Sequence, residues 1–240
     1  MQIQIYYTIN SGLFLYYRGC GLLVDGLHEG EKVGMSPFPQ TLQNQLENRL
    51  GLFSRLNALL FTHLHADHYS APLAGQLRAR LPDALLIAPD DVACPRESAQ
   101  FTVGPFRIRS FPTVHDGKEY VNTPHDAFLI EAGGERILLP GDASFGEGTD
   151  YFTRFCPEGA DILFVNPYQM LSAKMRTLLR QWQPDRVFLN HLPYPQDDTY
   201  QYRALAQRLL GKWPHDLPVP EEMRPFSWLD GRAPEDLVVS

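Results

Sequence analysis

Cysteine is scarce in this sequence, and its few cysteines follow no pattern. The chain has three, Cys20, Cys94 and Cys156, and none of them belongs to a C-x-x-C pair. An odd number of widely spaced cysteines is typical of free thiols in a reducing compartment. The first residues also lack the basic segment and the apolar stretch of a signal peptide. We therefore expect a cytoplasmic protein without disulfide bonds.

Long apolar runs and an excess of positive charge are missing as well. No run reaches the roughly 18 apolar residues that a membrane helix needs, so we expect no membrane association. Lys and Arg number 21 against 28 Asp and Glu, which gives a net charge of −7. Because a surface that binds nucleic acid needs clustered Lys and Arg, we expect no nucleic-acid partner. The sequence also has no G-x-S-x-G motif, which disfavours a serine hydrolase.

The residues that are present describe an ordinary globular protein rich in β-structure. The chain has 240 residues, of which 44% are hydrophobic and 20% charged, so it can bury a core of its own. Two β-rich halves with flanking helices follow one another without a linker, which predicts one domain over 1–240. We expect two sheets packed face to face with helices outside. Residues 26–40 are predicted to be a long mobile loop, and residues 212–240 a proline-rich C-terminal tail.

Hydrophobic periodicity and turn residues place the individual elements. The predicted strands are 3–7, 13–17, 22–24, 56–61, 85–87, 101–103, 106–111, 127–131, 136–139, 161–165 and 186–189. The predicted helices are 41–50, 71–81 after a capping Ser70, 171–182 and 199–210.

The most informative segment is His63-Leu64-His65-Ala66-Asp67-His68, between a predicted strand and a predicted helix. His63 and His65 face the same way in an extended backbone and can share one metal ion. As the chain turns towards the helix, Asp67 and His68 can aim at a second point nearby. Imidazole suits Zn, Fe and Ni, and a carboxylate adds a hard oxygen ligand. This context favours a metal site over a run of surface polar residues at a helix start.

Three later strands each end shortly before a residue that can bind a metal. His115 follows strand 106–111, Asp142 follows strand 136–139, and His191 follows strand 186–189. Because functional loops gather where strands end, we expect these residues to converge. Each has a simpler alternative: His115 in a turn, Asp142 as a helix cap, and His191 in a plain loop. His125 competes with His115, but it precedes a strand instead of following one.

The order of these residues resembles the metallo-β-lactamase superfamily over residues 1 to about 210. The resemblance is carried by His-x-His-x-Asp-His, then a His, a Gly-Asp and a final His. It implies an α+β fold, a four-layer αββα sandwich, with two divalent metal ions, zinc first and iron or manganese as alternatives. The implied ligands are His63, His65 and His115 for the first ion, Asp67, His68 and His191 for the second, and Asp142 as a bridge.

The same resemblance implies a hydrolase in which a metal-bridging hydroxide attacks a small-molecule ester, lactone, amide or phosphodiester. Asp67 would be catalytic, taking up the proton of the nucleophile. A metal-ligating cysteine is absent after the strand that leads to Asp142, which disfavours β-lactams as substrates. The alternatives are a tRNA-processing-type nuclease, a thioesterase similar to glyoxalase II, and a non-catalytic metal-binding sensor of the same fold.

Roles for the remaining candidates stay open. Thr62 and Asp25 could orient the imidazoles from behind. His125 and Tyr194 are candidates for a substrate contact or a proton donor, and Lys118 and Tyr168 are weaker ones. Residues that either wall a pocket or pack against the sandwich are Met35, Phe38, Tyr120, Tyr168 and Tyr194. His28 and His215 are predicted to lie at the surface.

Overall fold

The strands of the protein pair into two sheets. The structure is a computed structural model that describes residues 2–89, 98–146, 149–234 and 237. The strands are β1 (Gln4–Tyr7), β2 (Leu13–Tyr17), β3 (Cys20–Val24), β4 (Leu56–Leu60), β5 (Leu85–Ile87), β6 (Ala99–Val103), β7 (Phe106–Pro112), β8 (Asp126–Ala132), β9 (Glu135–Leu139), β10 (Ile162–Val165), β11 (Arg186–Leu189), β12 (Glu221–Glu222) and β13 (Ser227–Trp228). The helices are α1 (Gln40–Glu47), α2 (Ala71–Arg80), α3 (Tyr151–Phe155), α4 (Ala173–Trp182) and α5 (Tyr202–Leu210).

Each sheet joins an antiparallel part to a parallel part. The first sheet has the order β13-β1-β2-β3-β4-β5, in which β1 to β3 form the predicted antiparallel meander and β3 to β5 run parallel. The second sheet has the order β12-β11-β10-β9-β8-β7-β6, with antiparallel pairing from β6 to β9 and parallel pairing from β9 to β12. In the parallel parts, strand ends of the same direction therefore lie side by side.

The sheets are covered on both faces, which explains why inner strands such as β2 and β10 are buried throughout. In β2 every residue is buried: Leu13 and Leu15 face the core between the sheets, and Phe14 and Tyr16 face the helices. Side chains of α1 and α2 complete the outer core of the first sheet, and side chains of α3, α4 and α5 complete that of the second. The layers are helix, sheet, sheet and helix, which confirms the predicted α+β, αββα architecture.

The helix starts follow from local capping. Ser70 caps α2 as predicted, because its Oγ accepts the amide hydrogen of Leu73 at 3.4 Å. The helix predicted over 171–182 is a 3-10 turn, Gln169–Leu171, followed by α4. The helix predicted over 199–210 begins later, at Tyr202, because Asp198 accepts the amide hydrogens of Tyr202 and Arg203 at 2.9 Å each.

The segment predicted as a mobile loop over 26–40 is largely packed against the fold. It contains a 3-10 helix, Gly30–Val33, and Met35 and Phe38 are both buried. The prediction that His28 lies at the surface is wrong, since the residue is only 1% exposed. Its Nδ1 accepts the amide hydrogen of Gly30 at 3.3 Å, and its ring lies edge-on to Phe38 at 5.6 Å. His215 is exposed, as predicted.

The proline-rich segment over 212–240 contributes to both sheets. Strand β12 extends the second sheet beside β11, and β13 extends the first sheet beside β1. Trp213 and Leu217 are buried in the outer core of the second sheet, and Met223 is buried in the core between the sheets. Of the described cysteines, Cys20 and Cys156 are free and buried, and Cys94 lies outside the described residues. Nowhere in the described ranges is a helix both long and apolar enough to cross a membrane.

Candidate metal centre

Asp25, at the end of β3, organises the loop that follows β4. Its Oδ1 accepts the amide hydrogen of Thr62 at 2.8 Å, and its Oδ2 accepts the Thr62 hydroxyl at 2.7 Å and His68 Nδ1 at 3.0 Å. The Asp25 oxygen that accepts from the Thr62 hydroxyl is the acceptor for His68 as well, so His68 carries a hydrogen on Nδ1. Nε2 of His68 then faces the other way, towards Nε2 of His191 at 3.1 Å and Oδ2 of Asp142 at 3.4 Å, as the ligating nitrogen of a metal-binding histidine does.

Two further histidines are fixed in the same tautomer. Thr62 donates its hydroxyl hydrogen to Asp25, so its oxygen accepts from His63 Nδ1, which lies at 3.1 Å. His115 Nδ1 lies 2.5 Å from the carbonyl oxygen of Asp116, which can only accept. Nε2 of His63 and Nε2 of His115 are both buried and have no hydrogen-bond partner in the described part of the chain. A buried lone pair without a partner is costly, so both atoms fit metal coordination.

The predicted ligands come together as two groups at one edge of the sandwich. The first group is His63, His65 and His115, and the second is Asp67, His68, Asp142 and His191. Within each group the candidate ligand atoms all lie within 4.8 Å of one another. Imidazole and carboxylate donors at this spacing fit a pair of divalent ions, one in each group.

One oxygen of Asp142 lies between the two groups. Its Oδ2 is 3.9 Å from Nε2 of His63 and 3.8 Å from Nε2 of His115, both of the first group. The same oxygen is 3.4 Å from Nε2 of His68 and 3.3 Å from Nε2 of His191, both of the second group. The structure forms no helix at this point, so the alternative of Asp142 as a helix cap is excluded.

The loop around Asp142 is held by side chains from the chain segment after β10. Asn166 Nδ2 donates to Oδ1 of Asp142 at 3.0 Å, which leaves Oδ2 for the two groups. Gln169 Nε2 donates to the carbonyl oxygens of Gly141 and Ala143, at 2.9 Å each. Sequence reasoning missed both residues, although Asn166 follows a buried strand in the same way as the predicted ligands do.

His125 lies beside the first group but not in it. Its Nε2 accepts the amide hydrogen of Asp142 at 3.0 Å, and its Nδ1 lies 2.6 Å from the hydroxyl of Thr113. Both ring nitrogens therefore have protein partners. Gly141 is packed against the ring: it has a φ of +55°, and a Cβ there would lie 2.9 Å from His125 Nε2. His125 thus contacts the backbone that carries Asp142.

The other predicted contacts are distributed around the site and away from it. A cavity opens onto both groups of candidate ligands, and Tyr168 lines it. Tyr194 does not line that cavity; its ring lies 6.0 Å from Phe226 and its amide donates to Ser36 Oγ. Lys118 lies in a 3-10 helix beside the cavity and is not among the lining residues.

The two groups differ in electrostatic character. Burial, followed by the neighbouring imidazoles, holds the pKa of His63 well below its usual value and also lowers the pKa of His65. The neutral ring is the form that binds a metal ion. Burial also acts to lower the pKa of His68 and His191, but nearby carboxylates outweigh it. The pKa of His68 therefore lies well above its usual value, and that of His191 is raised to about 9.

The carboxylates of the second group respond in the opposite direction. Burial raises the pKa of Asp142, but the charges of His191 and His68 outweigh it and leave the pKa well below its usual value. The pKa of Asp67 is lowered in the same way. These anionic side chains favour positive charge at this point of the structure.

A cavity of about 530 Å³ opens onto both groups. The lining residues outside the two groups are mainly aromatic and acidic, among them Asp116, Glu119, Tyr120, Tyr168, Tyr200 and Tyr202. Sequence reasoning missed Tyr200 and Tyr202, which precede or begin a helix without any motif to mark them.

Known structures resemble this one over nearly its whole length. The metallo-β-lactamase fold protein YhfI from Bacillus subtilis has 16% identity and a TM-score of 0.62, over 94% of this chain and 98% of that one. An isothiocyanate hydrolase from Delia radicum gut bacteria has 13% identity and a TM-score of 0.60, over 94% and 98%. The human short form of tRNase Z has 16% identity and a TM-score of 0.54, over 97% and 100%.

Comparisons at the level of sequence find no relative: no family model matches the chain, and no curated protein does either. At such low identities the structural likeness establishes the fold. The two mixed sheets with flanking helices agree with that likeness, and the clustered His and Asp residues fit a dinuclear site. This chain has the metallo-β-lactamase fold.

Proposed function

We propose that this protein is a metal-dependent hydrolase with a dinuclear centre. His63, His65 and His115 would hold the first ion, Asp67, His68 and His191 would hold the second, and Asp142 would bridge them. The observation that carries this proposal is the position of Asp142 Oδ2, within 3.9 Å of imidazole nitrogens from both groups.

The donors in the two groups are imidazole nitrogens and carboxylate oxygens, with no thiolate among them. Such a set suits zinc first, and iron or manganese as alternatives. When bound, a pair of divalent ions would supply a hydroxide nucleophile at neutral pH, by lowering the pKa of water from roughly 15.7 to roughly 7, and would polarise the attacked oxygen.

Asp67 is the residue that we assign to proton transfer. It lines the cavity, and its Oδ2 lies 3.1 Å from Nε2 of His191. Burial raises its pKa, but the charges of His68 and His191 outweigh it and keep the carboxylate ionised. An ionised carboxylate at the floor of the cavity can orient the nucleophile and take up its proton.

The substrate that fits best is a small molecule: an ester, a lactone, an amide or a phosphodiester. A net charge of −7 does not favour a polyanion, although the fold is similar to that of a human tRNA-processing nuclease. The free cysteines Cys20 and Cys156 agree with a protein of the reducing cytoplasm.

The proposal is tested in two steps. Elemental analysis of the purified protein, with and without added zinc or manganese, is expected to find two ions per chain, about twice the content of a mononuclear site. The loaded protein is then assayed on chromogenic esters, thioesters, lactones, amides and phosphodiesters, with a cephalosporin and a tRNA precursor as controls. Turnover of the tRNA precursor far above all small substrates would contradict a small-molecule hydrolase. No turnover with both ions bound would favour a metal-binding sensor.

A further inference from the structure

The cavity that opens onto the two groups carries acidic side chains, and its described lining residues include no lysine and no arginine. Its charged residues are Asp67 and Asp142, which belong to the second group, and Asp116 and Glu119, which do not. Asp116 and Glu119 are exposed on the wall beside the first group. A substrate that extends beyond the two groups on this side therefore passes two acidic side chains, Asp116 and Glu119.

Basic residues close to the lining in sequence are engaged elsewhere or lie outside the cavity. Lys32, next to the lining residue Val33, pairs with Glu29 at 2.6 Å. Arg203, next to Tyr202, pairs with Glu222. Lys118 is not among the residues that line the cavity. A phosphate or carboxylate on the substrate, away from the bond that is broken, would thus find no cationic partner in the described wall.

Aromatic rings stand on both sides of the metal groups. The ring centre of Tyr120 lies 4.9 Å from that of His65, a first-group residue. The ring centre of Tyr202 lies 4.8 Å from that of His191, a second-group residue, and Tyr200 lies 5.9 Å from Tyr202. Tyr120 and Tyr200 are 41% and 52% exposed, which is high for large aromatic side chains next to a buried polar site. Such rings stack on planar or apolar groups and attract cations through their faces.

We propose that the substrate of this site is an uncharged or positively charged small molecule with an aromatic or apolar group, and that the cavity selects against anionic molecules. This inference rests on the proposed function, since it concerns what the same centre accepts. It narrows the substrate class: phosphorylated and carboxylated metabolites are disfavoured, and aromatic or cationic esters, lactones and amides are favoured. Asp116, Glu119 and the tyrosines would set this specificity.

Three probes with the same ring and the same chelating head test the charge preference. They are benzohydroxamate and its derivatives with a para-trimethylammonium or a para-carboxylate group. Binding is measured by calorimetry at low ionic strength, on protein reconstituted with zinc and shown by elemental analysis to hold two ions per chain. The carboxylate probe is expected to bind about fivefold more weakly than the other two, and the difference should shrink as salt is added.

Variants of the wall show which residues are responsible. Glu119→Gln should reduce the difference between the carboxylate and trimethylammonium probes, and Tyr120→Ala should weaken the neutral and cationic probes. Asp83→Asn, at an exposed position outside the cavity, is the matched control and should change neither.

The outcomes separate this inference from the proposed function. Equal binding of all three probes, tighter binding of the carboxylate, or no binding to protein with two ions would overturn the substrate class and leave the metal centre intact. A protein that takes up fewer than two ions would contradict the dinuclear centre. The inference about the substrate class would then be wrong as well, because it rests on that centre.

Discussion

The two sheets contribute to the metal centre in different ways. The first sheet supplies His63, His65, Asp67 and His68 from a single loop after β4. The second sheet supplies His115, Asp142 and His191 from the ends of three different strands, β7, β9 and β11. The first set is a local motif, whereas the second exists only because the sheet topology brings distant strand ends to one edge.

This difference means that the centre is complete only when the sheets are packed together. Contacts near the site couple the sheets directly: the amide of His191 donates to the carbonyl oxygen of Asn10 at 2.7 Å, and the Tyr7 hydroxyl lies 2.8 Å from the same oxygen. The Tyr7 hydroxyl also lies 3.0 Å from the carbonyl oxygen of Leu192. Oδ2 of Asp142, from the second sheet, lies within 3.9 Å of imidazole nitrogens of both groups. The local motif alone can therefore hold only part of the centre.

The largest effect is expected from Asp142→Ala, which removes the link between the groups. Because Asp142 Oδ2 faces imidazoles of both groups, the variant should lose both ions and at least about a hundredfold in turnover. Elemental analysis and kinetics on the same preparation measure this, with Asp185→Ala at an exposed position as a control. Full metal content with normal turnover would show that Asp142 is not needed to bind either ion.

His65→Ala and His115→Ala should have equal effects, although one residue belongs to the local motif and the other to a distant strand. Each variant removes one ligand of the first group and leaves the second group intact. Both proteins should retain about one ion per chain, measured by elemental analysis.

His125→Ala is the control for this pair, because both nitrogens of His125 have protein partners. It should keep both ions and lower the rate only. If His125→Ala loses an ion and His115→Ala retains two, then His125 is the ligand of the first ion and His115 is not.

A smaller effect is expected from Asp25→Asn, because Asp25 contacts the nitrogen of His68 that faces away from the candidate metal site. Asp25 accepts from His68 Nδ1 and from Thr62, so its charge fixes the orientation of this ring. The variant should bind the second ion about ten- to a hundredfold more weakly, measured by competition with a chelator. Unchanged affinity for both ions would show that the loop keeps its shape without this carboxylate.

The smallest expected effect is a difference in proton release between the groups. The pKa values of His68 and His191 are raised, whereas those of His63 and His65 are lowered. Nε2 of His68 and Nε2 of His191 lie 3.1 Å apart, so a single hydrogen lies between these two atoms without metal. Binding at the second group should therefore release more protons than binding at the first group, whose imidazoles have lowered pKa values. Calorimetry in buffers of different ionisation enthalpy measures the release.

The sign of the pH dependence follows from the same values. Protons compete with the second ion, so its affinity should rise with pH until about 9, the pKa of His191. The raised pKa of His191 also stabilises the metal-free fold below about pH 6.5, and this contribution is lost as the pH rises through 9. An affinity that is constant between pH 6.5 and 9 would contradict this assignment of charge.

The local part of the fold and of the site could be predicted from the sequence. Periodicity and turn residues locate β1 to β4, α2 and the hairpins, because those signals depend on neighbours in the chain. The spacing from His63 to His68 marks one loop, and the strand-end rule indicates His115, Asp142 and His191 individually. Their convergence is expected from the same rule, because functional loops gather where strands end. Their division between two metal ions is implied only by the resemblance to a known superfamily.

The remaining features depend on contacts between residues far apart in sequence. His28 is buried because Gly30 and Phe38 fold back over its ring, and no local pattern signals this. Strands β12 and β13 pair with β11 and β1, and each has only two residues, too few for a periodic signal. His125 accepts the amide hydrogen of Asp142, and no local pattern in the sequence signals this contact.

The central claim is that Asp142 joins the two groups into one dinuclear centre, and electron paramagnetic resonance tests it most directly. The protein is loaded with Mn²⁺, its metal content is measured, and spectra are recorded for the unaltered chain and for Asp142→Asn, which keeps the side-chain shape. A bridged centre predicts two ions per chain with a spin-coupled signal that is weakened or lost in Asp142→Asn. Two magnetically isolated ions in the unaltered chain, or a single ion, would contradict it.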